Sequence, residues 1–180
     1  MKRALFIIAL LSSLIFGSCK SEPTLQKYFV ENTENKDFLA LDISSNILNV
    51  DKAKLTTVQK EALQSFDKIN VLAFKLNDKN IAEFEKERAK VSSILKNPNY
   101  QQLMKFGSGK EGASVSYVET GGQINEFVFF ANKKDVGFAV VRVLGKDMNP
   151  TNIVNMISVL KESKLDMEQL KPLQELIKKK

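Results

Sequence analysis

Apolar and polar residues alternate along this chain with a period that changes from helical to strand-like near residue 100. In the first part, Leu25, Tyr28 and Phe29 share one side of a helical wheel, so Leu25 to Asn32 predicts a short amphipathic helix. Phe38-Leu39-Ala40-Leu41-Asp42-Ile43 predicts a strand. Thr56-Thr57-Val58-Gln59 has the spacing of a capping box, in which the Thr56 hydroxyl and the Gln59 side chain each satisfy a backbone amide; the helix it opens runs to about Asp67. Ile69 to Leu76 is apolar and β-rich, which predicts a central strand. A longer helix follows from Asn77-Asp78 to near Lys96. Ile81, Phe84, Val91, Ile94 and Leu95 form its apolar stripe; Glu83, Glu85, Lys86, Glu87, Arg88 and Lys90 form its wet side. Asn97-Pro98 stops it.

Beyond that point the period is two. Tyr100 to Phe106, Ser114 to Thr120, Gln123 to Ala131 and Val136 to Gly145 predict four strands. Gly121-Gly122 is a two-residue hairpin signal, because both central positions of such a turn need positive φ. Lys133-Lys134 falls in the next turn. Asn149-Pro150 opens a helix from Thr151 to about Lys161, and Asp166 caps a last helical segment that Pro172 must kink or split. The grouping of strands predicts an α+β fold: a largely antiparallel sheet of about five to six strands with helices packed on it.

The two turns set an expected register. Across Gly121-Gly122, Glu119 faces Ile124, Tyr117 faces Glu126 and Val115 faces Val128. Across Lys133-Lys134, Phe129 faces Phe138, Phe127 faces Val140 and Asn125 faces Arg142. One face then carries Val115, Tyr117, Ile124, Val128, Phe130, Ala139, Val141 and Val143 and is expected to be the core side. The other carries Phe127, Phe129, Phe138 and Val140 at one end, with Ser114, Ser116, Asn125 and Arg142 at the other. Two readings of this second face are open. A helix or the N-terminal segment covers the Phe cluster; or Phe127, Phe129, Phe138, Val140 and Arg142 form an open binding surface for another envelope protein or a hydrophobic ligand. Arg142 sits among Val140, Val141, Val143 and Leu144 and is expected to need a carboxylate partner.

The N-terminus has its own pattern. Lys2 and Arg3 precede 13 residues, Ala4 to Phe16, that are apolar except for Ser12 and Ser13, and Gly17-Ser18 are small. These are the parts of a secretory signal, and the stretch is shorter than the roughly 20 residues a spanning helix needs. Cys19, the one cysteine in the chain, follows at once and cannot close an internal disulfide. The arrangement resembles a bacterial lipobox, with Phe16 where Leu is usual. That resemblance implies that 1–18 is a cleaved signal of lipoprotein type, Cys19 the lipid attachment point, 19–24 a lipidated tether and 25–180 one domain. Lys20, rather than Asp, implies an outer-membrane address in the cell envelope, with the periplasmic or surface face left open. Lys20 to Thr24 reaches at most about 17 Å, so the domain lies close to the bilayer.

Charge narrows the partners. Of the formal +6, Lys2 and Arg3 contribute two and Lys178, Lys179 and Lys180 three, so the body is nearly neutral. A nucleic-acid binder would carry a basic face instead, and no nucleic-acid partner is expected. Histidine is absent, and Cys19 is committed elsewhere. That excludes a Ser-His-Asp triad, a cysteine protease and zinc sites of the usual nitrogen and sulfur ligands. Gly107-Ser108-Gly109-Lys110-Glu111-Gly112 fails as a phosphate loop, since Met104 stands at the first glycine position and Glu111 where Ser or Thr is required; it predicts a plain loop between strands. No metal, cofactor or catalytic residue is assigned. Carboxylates remain the one source of acid–base chemistry, and Glu119 with Glu126 on one sheet face gives an alternative reading, a hydrolase acting on envelope or imported glycans. A third reading is a structural or regulatory lipoprotein partnered by an integral membrane protein, its C-terminal lysines near anionic headgroups.

Several stretches resemble a family of Bacteroidetes lipoproteins known as domain of unknown function 4252: Leu25-Gln26-Lys27-Tyr28-Phe29-Val30, Val71-Leu72-Ala73-Phe74, Tyr100-Gln101-Gln102-Leu103-Met104, Gly137-Phe138, and above all Val141-Arg142-Val143-Leu144-Gly145-Lys146-Asp147-Met148-Asn149-Pro150. The resemblance implies a signal, a lipobox and one domain. It implies no reaction, ligand or catalytic residue. The expectation is a lipid-anchored, non-catalytic envelope protein that works by binding.

Overall fold

A computed structural model of the chain describes residues 22–44, 55–108 and 111–155. Cys19, the expected signal and the segment after 155 lie outside them, so the expectations placed there are not addressed by the fold. The elements are α1 (Leu25–Asn32), β1 (Phe38–Ser44), α2 (Thr57–Gln64), β2 (Phe66–Lys75), α3 (Ile81–Ile94), β3 (Gln101–Ser108), β4 (Glu111–Thr120), β5 (Gln123–Lys133) and β6 (Gly137–Met148). A further helix begins at Pro150, capped by Asn149, whose side chain accepts a hydrogen bond from the Asn152 amide at 2.8 Å. All six strands form one sheet in the order β1-β2-β6-β5-β4-β3, and every neighbouring pair is antiparallel. The fold is α+β, as the grouping of strands predicts.

Local chemistry fixes the elements. Thr24 caps α1, accepting from the Lys27 amide, and the capping box at Thr56 and Gln59 is complete. α2 ends at Gln64 rather than Asp67, because β2 begins at Phe66 and pairs with Gly145. Gly121 and Gly122 both have positive φ, 63° and 83°, and join Thr120 to Gln123 in the expected two-residue turn. β3 and β4 meet at Ser108 and Glu111, so the glycine-rich stretch is a hairpin end.

The register departs from the expected one twice. A bulge between Val118 and Glu119 shifts β5 by one residue, so that Tyr117 faces Phe127 and Val115 faces Phe129. The next turn holds three residues, Lys134 to Val136, so Lys133 faces Gly137, Phe129 faces Val141 and Val128 faces Arg142. A one-residue slip moves a side chain to the opposite face.

Two clusters result. On one face α1 and α3 cover Leu72, Phe74, Val128, Phe130, Phe138 and Val140. Phe74 and Phe138 are cross-strand neighbours and stack at 5.5 Å, with Phe38 edge-on to Phe74 at 5.1 Å. Leu72 and Val140 are fully buried, each worth about 1.5–3 kcal/mol of transfer free energy. On the other face α2, through Leu63, and the helix after Pro150, through Ile153, pack on Phe66, Ile69, Val71, Phe127 and Val143. In α3 the expected apolar stripe holds except at its start. Ile81 is 55% exposed, whereas Glu87, placed on the wet side by sequence, is 4% exposed within the covered face.

Candidate functional site

The five residues expected to share one surface do not. Phe138, Val140 and Arg142 lie on the face covered by α1 and α3, while Phe127 and Phe129 point to the opposite face. The shared surface is corrected by the bulge and the three-residue turn. For Phe138 and Val140, the reading in which a helix covers the cluster is the one observed.

Arg142 meets a carboxylate, as its apolar neighbours require. Its Nε donates to Glu126 Oε1 at 2.6 Å and its Nη2 to Glu126 Oε2 at 3.0 Å. Nη1 donates to Gln26 Oε1 of α1 at 2.6 Å, and the guanidinium lies 5.4 Å from the Phe29 ring centroid. Arg142 is 4% and Glu126 9% exposed. Asn70, the cross-strand neighbour of Arg142, hydrogen-bonds Asp42 on the next strand. This polar row ties α1 to the sheet. It also engages Glu126 fully, while Glu119 lies exposed beyond the bulge. The two carboxylates do not converge.

A second buried group lies between α1 and α3. Tyr28 Oη and Glu87 Oε2 are buried without a hydrogen-bond partner. Lys90 Nζ sits 5.2 Å over the Tyr28 ring and 4.0 Å from Glu87 Oε1. Burial first, and then the Glu87 carboxylate, push the Tyr28 hydroxyl well above the ordinary tyrosine range.

A concave feature of the described surface lies elsewhere. A cleft of about 250 Å³ runs between the C-terminal half of α3 and the β3–β4 hairpin. Its floor is the sheet face under α3. Antiparallel register sets Lys105, Ser114 and Phe130 in one row, Gln102 and Ser116 in the next, and Gly107, Gly112 and Asn132 in a third. On this face β4 presents the small residues Gly112, Ser114 and Ser116, so the sheet leaves a hollow that large side chains fill further along. The opposite wall comes from Arg88 and Ser92, spaced along one side of α3, and from Leu95 and Lys96 just past its end. Arg88 is held by Glu85, its Nη2 2.6 Å from Oε2. Glu111 is the cleft's one carboxylate among the described lining residues. The sequence carried a signal for this site in the two serines alternating on β4, but without the true register nothing connected them to Arg88 or Lys105.

Among the described residues no cluster of His, Cys, Asp or Glu is arranged to hold a metal, and no helix is long and apolar enough to cross a membrane. Fold and site together define a class: a single-sheet α+β domain with one face roofed by two helices and a polar, cation-rimmed cleft at the roof's edge. Residues 28–156 match the family model described as Domain of unknown function (DUF4252), and the chain belongs to that family. No curated protein and no solved structure matches it.

Proposed function

We propose that this is a lipid-anchored cell-envelope protein, held at the outer membrane through Cys19, that works by binding a ligand in the cleft between α3 and the β3–β4 hairpin. The observation that carries the binding half is the hollow over Gly112, Ser114 and Ser116, faced by polar side chains from three strands and one helix. The site is thus a polar groove rather than the apolar Phe surface expected from sequence. The anchoring half rests on the basic start, the apolar stretch and the small residues before Cys19. Two or three acyl chains, at about 0.8 kcal/mol per buried CH₂, make such an anchor stable. The glycan-hydrolase alternative needs two carboxylates across one cleft; Glu126 is committed to Arg142, and Glu111 has no described second carboxylate beside it in the cleft lining.

Two experiments test the halves separately. Mass spectrometry of protein from its native host should find acyl chains on Cys19, and Cys19→Ala should leave the membrane fraction; a bare terminus removes the anchor. A photo-crosslinking residue at Gln102 should trap a ligand or partner in intact cells, and a folded Ser114→Trp variant, which fills the hollow, should abolish that adduct. Survival of the adduct in Ser114→Trp would sink the cleft as the binding site.

A further inference from the structure

We propose that the cleft is an anion site, taking a phosphate or carboxylate group through Arg88, Lys96 and Lys105. The inference rests on the cleft being the ligand site and adds the chemistry of what enters it.

Charge is the first reason. Among the described lining residues, three cations stand against one carboxylate, Glu111. Arg88 is neutralised by Glu85, but neither Lys96 nor Lys105 lies within ion-pair distance of a carboxylate among the described residues. Lys105 shares its sheet face and its row with Ser114, so its ammonium and the Ser114 hydroxyl approach a ligand from the same side. Ser92 and Gln102 add neutral donors from the two walls. Cations with hydroxyl and amide donors suit an oxyanion, since charge-assisted hydrogen bonds are about twice as strong as neutral ones. The volume, just below the usual range for ligand pockets, suits a single charged group with a short substituent.

Position is the second reason. Asn97, next to Lys96, donates its side-chain amide to Glu22 at 2.7 Å, and the Leu25 amide donates to the Tyr100 hydroxyl at 3.1 Å. These bonds hold the start of the domain against the residues that follow Lys96, itself part of the cleft lining. Glu22 is three residues from Cys19, a reach of about 11 Å at most. An anchored Cys19 therefore brings Lys96 and the cleft mouth within reach of headgroups. The anion is borne either by a lipid headgroup or by a free molecule, and the chemistry of capture is the same.

Lysine footprinting reads this directly. The mature lipoprotein in neutral detergent is acylated with an amine reagent, with inorganic phosphate, glutarate or glucose present, and each lysine is followed by mass spectrometry. Phosphate or glutarate should slow modification of Lys96 and Lys105 by about threefold at twice the dissociation constant. Lys27 and Lys86, exposed on α1 and α3, should not change, and glucose should protect nothing. The Arg88→Gln variant should weaken the protection, and added salt should reduce it. The same measurement in phosphatidylcholine vesicles with and without phosphatidylglycerol separates the sources: protection only with phosphatidylglycerol assigns a headgroup, protection by phosphate or glutarate assigns a free anion. The inference is overturned if neither free anions nor phosphatidylglycerol protect Lys96 and Lys105, or if Lys27 and Lys86 are protected equally. Loss of the anion effect with the Gln102 adduct still blocked by Ser114→Trp would leave the cleft as a binding site for an uncharged ligand. Anion protection in the Ser114→Trp variant equal to wild type would instead place the anion outside the cleft.

Discussion

Arg142→Met should be among the most damaging single substitutions in the described fold, and the reason can be worked from the contacts. The change removes both charge-assisted bonds to Glu126, at 2.6 and 3.0 Å, and leaves a carboxylate that is 9% exposed without its partner. An uncompensated buried charge of this kind costs about 3–5 kcal/mol. Glu126→Met should cost a similar amount, since Arg142 would keep only the Gln26 carbonyl and the Phe29 ring. The double variant behaves differently. With both charges gone and apolar side chains of similar length in place, it should recover to within about 1 kcal/mol of wild type or exceed it. Gln26 lies on the exposed side of α1, so water replaces its lost bond. The assay is urea unfolding of the full chain followed by far-UV circular dichroism, because the chain has no tryptophan to report by fluorescence. Hydrogen exchange should rise in α1 more than in α3 for Arg142→Met, because the guanidinium's hydrogen bond and ring contact to the helical layer both go to α1. Two results would refute the reasoning: single variants within about 1 kcal/mol of wild type, or a double variant whose loss equals the sum of the singles to within the roughly 0.5 kcal/mol expected of independent sites.

Tyr28→Phe removes a buried hydroxyl that has no partner at full hydrogen-bonding distance and only the nearby Glu87 carboxylate acting on it, so thermal or urea unfolding should show stability within about 1 kcal/mol of wild type; a loss of about 2 kcal/mol would mean that the hydroxyl is firmly bonded to Glu87. The raised Tyr28 hydroxyl also sets a pH dependence. Below the ordinary value of 10.0 both states keep the proton, and above it the unfolded chain releases a proton that the folded chain retains. Stability should therefore fall as pH rises above that value, and the fall should be shallower in Tyr28→Phe, with Tyr100, raised by burial in the same sense, supplying the remainder. Gly137→Ala should cost about 2–5 kcal/mol in the same unfolding assay, because φ is +133° and the added Cβ would sit 1.9 Å from the Phe74 carbonyl oxygen.

Much of this architecture can be read from residue order, and the failures have a common cause. The Thr56 box, the Gly121-Gly122 turn and the Asn149-Pro150 start were legible because each is a short-range device whose chemistry lies within four residues. Register is not short-range. The bulge at Val118 and the extra residue in the turn after Lys133 carry no sequence mark that separates them from ideal geometry. Both errors are odd, so they cancel between β4 and β6 and fall entirely on β5. Val115 and Tyr117 do share a face with Val141 and Val143, and Ser114 and Ser116 with Phe138, Val140 and Arg142. Only the β5 pairs changed sides: Phe127 and Phe129 exchanged places with Val128 and Phe130. β5 is apolar on both faces, so pattern alone could not choose between them. Glu87 failed for another reason. Its burial comes from α1 packing across α3, a contact between elements that helical periodicity does not contain.

These features meet at α1. The helix follows the proposed tether, and three interactions hold it to the sheet and to the loop after α3: the Leu25 amide to Tyr100, Gln26 to Arg142, and Phe29 over the same guanidinium. Two of the three depend on Arg142, whose own position is fixed by Glu126 from the neighbouring strand. The ion pair thus does more than satisfy two buried charges. It sets where the chain leaves the sheet toward Cys19, while Tyr100 and Asn97 set that same exit relative to the end of α3 that walls the cleft. A flexible tether alone would let the domain roll on a membrane. With that exit pinned by both sets of contacts, a lipid at Cys19 would restrict the faces the cleft can present to it. On this argument the long-range polar contacts of the fold serve orientation, and the hollow over the two serines is useful because of where those contacts hold it.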